Sequence, residues 1–144
     1  MTPRETRLIR ESWRNIARDR DAIVVTFYDL LFRWKPELRG YFSEDMSEQR
    51  RMMAVTLNLA VSHIDRIETI RESVRDLGRR HARYGARASY YDLVVEALVR
   101  AISQHAGPAI FGPRVEAAWR RAFALIAEEM LAGAEGREPR TKAT

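Results

Sequence analysis

Apolar side chains along this 144-residue chain recur every three or four residues, a spacing typical of amphipathic helices. No stretch alternates between apolar and polar residues long enough to predict a strand, and the sequence contains neither an internal repeat nor a glycine-rich phosphate loop. The pattern predicts a first helix that ends near Ala17 and a second that runs from after Asp21 to Trp34. A third runs from about Ser47 to Ile64, and a fourth ends at Gly85. A fifth begins at Ser89 and ends at HAGPAIFGP, and the last one continues through Met130. The sequence therefore predicts an all-α domain.

Local signals mark where these helices begin and end. TPRE at the N-terminus has the form of a capping box with proline at the first helical position. Pro36 interrupts the second helix, and PELRGYF predicts a short helical turn that ends near Phe42. Ser89, with Asp92 three residues later, predicts the start of another helix, and Gly85 predicts the end of the helix before it.

One histidine, in LGRRHARYG, falls within the apolar pattern of its helix. The residues that share this face are Ile70, Val74, Leu77 and His81. A lone histidine on an apolar face is more often a structural residue than a ligand, and from the residues alone both interpretations stay open. The histidines at positions 63, 81 and 105 are too far apart for an HExxH motif, and the absence of cysteine excludes a thiolate site.

Length and composition narrow the class of protein. A chain of 144 residues is long enough for one domain with its own core. The sequence has no cysteine, no signal peptide and no apolar run of ~18 residues, so we expect a cytoplasmic protein with no membrane partner. We expect the domain over residues 1–132 and a disordered polar tail over residues 133–144.

The net charge of +5 by itself would permit a nucleic-acid partner. The basic residues are nearly all arginine, and they are scattered among 20 acidic residues instead of forming one stripe. We therefore expect a solvated surface and no nucleic-acid function.

Four segments stand in an order and spacing that resemble the bacterial single-domain globins and the haemoglobin domain of flavohaemoglobins. These segments are LIRESW, FYDLLFRWKPELRGYF, LGRRHARYG and AAWRRAFALIAEEM. The resemblance covers about residues 5–132, and LGRRH is equally similar to the neuroglobin-like globins. It implies a globin fold of about six to eight helices that enclose one haem b.

The resemblance also implies roles at the haem. His81 takes the place of the proximal histidine, the axial ligand of the iron. Tyr28 and Gln49 take the places of a distal tyrosine and glutamine, whose O–H and N–H groups stabilise oxygen. Phe42 matches the phenylalanine that stacks on the haem, and Met53 matches a bulky apolar residue over the iron. Further residues expected to line the haem are Leu77, Val94 and Phe123.

The resemblance also implies residues that interact with the proximal histidine from behind. Tyr91 matches a tyrosine that, in the bacterial branch, belongs to a His–Tyr–Glu arrangement. The position of the family's glutamate is Ala134 in this sequence, and Glu135 follows one residue later. The sequence therefore departs from the full arrangement at its third member.

The activity implied by the resemblance is reversible binding of O2, with CO and NO as further small ligands. In the family, oxygen-loaded ferrous haem converts nitric oxide to nitrate, and a fused flavin reductase domain restores the iron. The sequence has no dinucleotide fingerprint, so we expect nitric oxide dioxygenation to need an external reductase. The alternative is a haem-based gas or redox sensor that acts through a partner, and a third hypothesis is a haem-free helical domain that binds nucleic acid.

Overall fold

Six α-helices make up the protein in the computed structural model, which describes residues 1–136. They are α1 (Pro3–Ile16), α2 (Arg20–Trp34), α3 (Ser47–Ser62), α4 (Ile67–Arg83), α5 (Ala88–Ala106) and α6 (Pro113–Ala134), with 3-10 segments at Ala17–Asp19 and Pro36–Tyr41. No strand occurs among the described residues, and the predicted all-α fold of six to eight helices is confirmed. None of the helices in residues 1–136 has both the length and the apolarity that a bilayer crossing requires.

Most helix ends follow the local sequence. The capping box at α1 is formed, because the Glu5 amide donates to Thr2 Oγ1 at 3.1 Å and the Thr2 amide donates to Glu5 Oε1 at 2.8 Å. The predicted start of α5 at Ser89 is wrong, since α5 begins at Ala88 and no side-chain hydrogen bond caps it. Arg87 holds the N-cap position in an extended conformation, so Ser89 lies inside the first turn.

The core lies where α1, α2, α5 and α6 pack together. The indole N–H of Trp119 on α6 donates to Ser12 Oγ on α1 at 2.9 Å. The indole N–H of Trp13 donates to Asn58 Oδ1 on α3, also at 2.9 Å. Because both buried indoles have their donors paired, these two bonds tie α1 to α6 and to α3 without an unsatisfied polar group.

Helix α4 packs chiefly against α6, with backbone in direct contact at two glycines. A Cβ atom added to Gly78 would overlap the carbonyl group of Met130 on α6. A Cβ atom added to Gly133 would overlap the carbonyl group of Arg75 on α4. Only glycine allows the two helix axes to approach this closely.

An ion cluster lies beside these glycines. Arg71 Nε lies 3.1 Å from Glu129 Oε2, and Arg75 Nη1 lies 3.7 Å from Glu129 Oε1. Arg75 is 6% exposed, so its charge is buried next to that of Glu129. Arg75 Nη1 and Glu129 Oε1 are buried and form no hydrogen bond, so at these atoms the two charges compensate each other by proximity alone. Losing either partner would leave an uncompensated buried charge.

The C-terminal end of α6 extends past the expected domain boundary at residue 132. Gly133 and Ala134 belong to α6, and Gly133 is buried against α4. This contact keeps the last turn of α6 packed against α4, and the division into a domain and a disordered tail stays a prediction. The remainder of the expected tail, residues 137–144, lies outside the described residues.

Candidate functional site

Helix α4 carries two parallel stripes of side chains. One stripe contains Arg75 and Gly78 and faces α6. The other stripe consists of Ile70, Val74, Leu77 and His81. None of these four residues is buried, and His81 is exposed. The apolar face predicted for the helix of His81 therefore exists, and within residues 1–136 other protein atoms bury its apolar side chains only in part.

His81 is held in a single tautomer. Its Nδ1 lies 2.8 Å from the carbonyl oxygen of Leu77, four residues earlier on α4. Because a carbonyl oxygen only accepts hydrogen bonds, Nδ1 carries the proton and Nε2 keeps its lone pair. This bond also fixes the plane of the ring, and metal-ligating histidines are usually oriented by a bond of this kind.

The other two histidines are placed differently. His63 is the C-cap of α3, where its Nδ1 lies 3.0 Å from the Leu59 carbonyl oxygen. His105 Nε2 lies 2.9 Å from Thr26 Oγ1, a contact between α5 and α2. Within residues 1–136, no group of three or more His, Cys, Asp or Glu side chains could hold a metal ion.

Tyr28 of α2 and Gln49 of α3 meet in the structure. Gln49 Nε2 donates to the Tyr28 hydroxyl oxygen at 3.0 Å. Because an amide nitrogen only donates, the hydroxyl hydrogen of Tyr28 remains available to another acceptor. Burial raises the pKa of Tyr28 above its ordinary value, so the phenol keeps this hydrogen at neutral pH.

Aromatic rings surround Tyr28. The Phe42 ring lies edge-on to Tyr28, with centroids 5.6 Å apart, and edge-on to Phe32 at 5.5 Å. Phe27 is tilted against the other side of Tyr28 at 4.7 Å. A cavity of about 170 Å³ borders Tyr28 and Phe32 and is also lined by Arg50. The structure thus places Phe42 beside Tyr28, next to a cavity that is lined by charged side chains as well as by aromatic rings. Gln49 itself is exposed.

The remaining predicted haem-lining residues lie at different depths. Met53, Leu77 and Val94 are half-buried. Phe123 is buried in the core, where its ring packs 5.6 Å from that of Trp119. Contact of each of these side chains with haem stays a prediction.

The structure gives His81 a different neighbour from the one expected in a His–Tyr–Glu arrangement. The acceptor for Nδ1 is the Leu77 carbonyl oxygen. Tyr91 is half-buried on α5, and burial raises its pKa. Ala134 is the last residue of α6 and Glu135 is its C-cap. A role of Tyr91 and Glu135 behind His81 stays a prediction.

Sequence reasoning missed the Arg71–Arg75–Glu129 cluster that anchors the helix of His81. Arg71 and Glu129 stand 58 residues apart in the chain. Arginines in an amphipathic helix are ordinarily solvated, and no local pattern distinguishes Arg75 from its exposed neighbours. The available signal was the small residue Gly78 on the same side of α4.

The model of the globin family matches residues 25–130, a range that includes Tyr28, Gln49 and His81. The chain belongs to the globin family. Solved structures agree on the fold: a bacterial globin from Campylobacter jejuni has a TM-score of 0.82 and 20% identity, over 94% of this chain and 97% of that one. At this level of identity the likeness shows the fold alone.

Two further proteins are more similar in sequence to this globin. A flavohemoprotein from Bacillus anthracis is 31% identical over 112 residues, which make up 76% of this globin and 27% of that protein. This globin thus spans about a quarter of the length of the flavohemoproteins it matches. A globin-like protein from Aquifex aeolicus is 28% identical over 109 residues, 76% of each chain.

A third similar protein is an engineered carbene transferase, made from a Rhodothermus marinus protein that is described as a proposed nitric oxide dioxygenase. Its structure has a TM-score of 0.83 and 28% identity with this globin, over 94% of each chain.

Haem is the cofactor that membership of the globin family implies, and the residues present fit it. A flat apolar macrocycle requires an apolar surface, which the half-buried residues Val74 and Leu77 provide on α4. Haem iron takes an imidazole nitrogen as a ligand, and Nε2 of His81 is the nitrogen on this stripe that does not bond to the helix backbone. Haem would supply four of the metal's ligands itself, in agreement with the single histidine found on this stripe.

Proposed function

We propose that this globin binds haem b with His81 as the axial ligand and binds dioxygen reversibly, with Tyr28 as the main hydrogen-bond donor to that gas. The observation that carries the proposal is the state of His81. Its Nδ1 donates to the Leu77 carbonyl oxygen, and its Nε2 belongs to an apolar stripe that other protein atoms bury only in part. His63 makes the same kind of bond on α3, so the assignment is supported by the combination of this bond with the apolar stripe of α4 and not by the bond alone.

Haem supplies, when bound, an iron atom that takes up diatomic gases reversibly. The protein's contribution on the gas side is the Tyr28–Gln49 pair. Gln49 donates to the Tyr28 oxygen and thereby orients the phenol, whose own hydrogen can then point at a ligand. With haem bound, a polar diatomic gas such as O2 would accept the hydrogen bond of Tyr28 more strongly than CO would. One such bond contributes ~1–3 kcal/mol, or roughly tenfold to a hundredfold in the rate of oxygen release.

Nitric oxide dioxygenation is the activity that we propose beyond oxygen binding. Its support is the similarity to flavohemoproteins and to the Rhodothermus marinus protein that bears this activity in its name. The overall change joins one NO and one O2 into one nitrate ion and consumes one electron. In this proposal a separate reductase provides the electron, and the tyrosine hydrogen bond retains dioxygen until nitric oxide arrives.

The proposed axial ligand can be tested by substitution and chemical rescue. We expect purified protein to show the visible spectrum of histidine-ligated haem b, and His81→Gly to lose it. Added imidazole should restore that spectrum, because it replaces the missing Nε2 donor. His63→Gly is the matched control, since His63 makes the same bond to a carbonyl oxygen four residues earlier and lies on α3. An unchanged ferrous-CO band in His81→Gly, or its loss in His63→Gly, would contradict the assignment.

A further inference from the structure

The surface beside the C-terminal end of α4 is both basic and rich in tyrosine. Tyr84 follows α4 and is 72% exposed, and Tyr41 is 49% exposed. We call this the Arg–Tyr surface, and it consists of Lys35, Tyr41, Arg83, Tyr84, Arg87 and Tyr90. Arg83 of this surface lies two residues after His81, the residue that we assign to the iron.

Direct contacts join the parts of this surface. The turn at Gly85 has a φ of +99° and approaches Tyr41 so closely that an added Cβ would lie 3.0 Å from the tyrosine ring. The Tyr41 ring packs edge-on to Tyr90 at 6.4 Å, and Lys35 Nζ lies 5.4 Å from the centre of the Tyr90 ring. The Arg–Tyr surface is therefore continuous from the 3-10 segment after α2 to the first turn of α5.

The positive charge of this surface is only partly compensated. Lys35 is paired, because its Nζ lies 3.1 Å from Glu37 Oε1. The neighbouring arginines on α4 have acidic partners, since Arg79 pairs with Glu72 at 2.8 Å and Arg80 pairs with Asp76 at 3.4 Å. Arg83 and Arg87 are exposed, and neither forms an ion pair with another residue of the described chain. No acidic residue occurs between positions 77 and 91. Two guanidinium groups are thus free to meet carboxylates of another molecule.

We propose that the Arg–Tyr surface docks an acidic electron-transfer protein that reduces the haem held by His81, an inference that rests on the proposed function. Charge complementarity selects an acidic partner and speeds the encounter. Arginine and tyrosine are the residues that most often dominate protein–protein interfaces, because they combine large contact area with donors of fixed geometry. A nucleic-acid site would need a longer run of free cations than Arg83 and Arg87 provide.

The electron balance of the docked step is simple. The partner, a reduced flavoprotein or iron–sulfur protein, loses one electron, and ferric iron gains that electron to become ferrous. No covalent bond forms or breaks, and no proton is transferred. The position of the surface favours this step, because Arg83 and Tyr84 adjoin the helical turn that carries His81.

Binding and reduction can be measured separately with two acidic probes, a flavodoxin and a [2Fe–2S] ferredoxin. Calorimetry at low ionic strength should detect binding of at least one probe in its oxidised form. The variant Arg83→Glu with Arg87→Glu should weaken that binding at least about tenfold and slow reduction by the reduced probe to a similar extent. The matched control is Arg4→Glu with Arg114→Glu, two exposed arginines without an ion-pair partner in residues 1–136, and its affinity should stay within about twofold of the wild type.

Other outcomes would overturn the proposal. Absence of binding by either probe, or equal affinities in the two double variants, would show that the Arg–Tyr surface does not dock an acidic protein. Tighter binding to anionic lipid vesicles or to duplex DNA than to the probes would assign the surface to another class of partner. The visible spectrum and the rate of reduction by dithionite report on the haem independently, so loss of haem is distinguished from loss of docking.

Discussion

Tyr28 is the residue that decides, in our proposal, how strongly the pocket holds a polar gas. Its ring is buried among Phe27, Phe32 and Phe42, and its hydroxyl oxygen is occupied by Gln49. A hydrogen bond donated from such apolar surroundings is stronger than the same bond in water. The contribution of Tyr28 can therefore be isolated by removing one oxygen atom.

Tyr28→Phe should increase the rate of O2 dissociation by roughly tenfold to a hundredfold, which corresponds to one lost hydrogen bond of ~1–3 kcal/mol. The rate of CO dissociation should change by less than about threefold, because CO accepts the hydrogen bond only weakly. Both rates are measured by ligand replacement in a stopped-flow spectrometer. Gln49→Leu serves as the comparison and should have a smaller effect, since the phenol hydrogen remains in place. Similar acceleration for both gases in Tyr28→Phe would show that the change acts through pocket volume.

The pH dependence of the same rate tests the protonation of Tyr28. Burial raises the pKa of this phenol, so the folded protein favours the neutral form. The associated stability is fully present below the pKa of the unfolded tyrosine, near 10, and is lost as the pH rises through the higher pKa of the folded state. The rate of O2 dissociation in wild-type protein should therefore be constant from neutral pH up to that range.

At the scale of single residues, the sequence predicted which side chains to examine and could not predict what they contact. The bond between His81 and the Leu77 carbonyl joins positions four apart on one helix and is available to any histidine in that place. The Gln49–Tyr28 bond joins two helices, and its direction depends on how α3 lies on α2. Such a bond follows from the packing of the whole domain.

At the scale of helices, α4 is the element whose placement matters most for the site. Its outer stripe carries His81, while Gly78 and Arg75 on the neighbouring stripe set its distance from α6. The periodicity of apolar residues predicted the helix and its apolar face. The periodicity did not predict the contact with α6. A glycine inside a helix indicates only a low helix propensity, and an arginine such as Arg75 is expected to be solvated.

Gly78→Ala should destabilise the protein by ~2–4 kcal/mol, because the new methyl group would overlap the Met130 carbonyl and push α4 away from α6. The higher helix propensity of alanine offsets only ~1 kcal/mol of this loss. The free energy of unfolding, obtained from urea titration of the haem-loaded protein, measures the change. Gly40→Ala is the matched control and should be neutral or slightly stabilising, since no atom lies within 4 Å of its added Cβ. Equal stability of the two variants would contradict the close approach of α4 and α6.

At the scale of the whole molecule, the helices differ in how much of their surface other helices cover. α5 has five buried residues, whereas α4 has only Arg75 and Gly78. Stability within a domain follows such differences, and segments with few buried apolar contacts open more readily than the core. A ligand that covers the stripe of His81 would add buried area to α4 in particular. Haem binding and the local stability of α4 should therefore be coupled.

Hydrogen exchange of the backbone amides tests this coupling. In protein from which haem has been extracted, amides of α4 should exchange at least about tenfold faster than those of α5, a difference of about 1.4 kcal/mol in opening free energy. Adding haem should slow exchange in α4 and leave α1 nearly unchanged, because α1 is already fixed by the Trp119–Ser12 and Trp13–Asn58 bonds. In His81→Gly, haem should protect α4 less, and imidazole should recover the difference. If α4 were as protected as α5 without haem, or if haem protected all helices equally, the cofactor would be stabilising the domain as a whole and not the helix that carries its ligand.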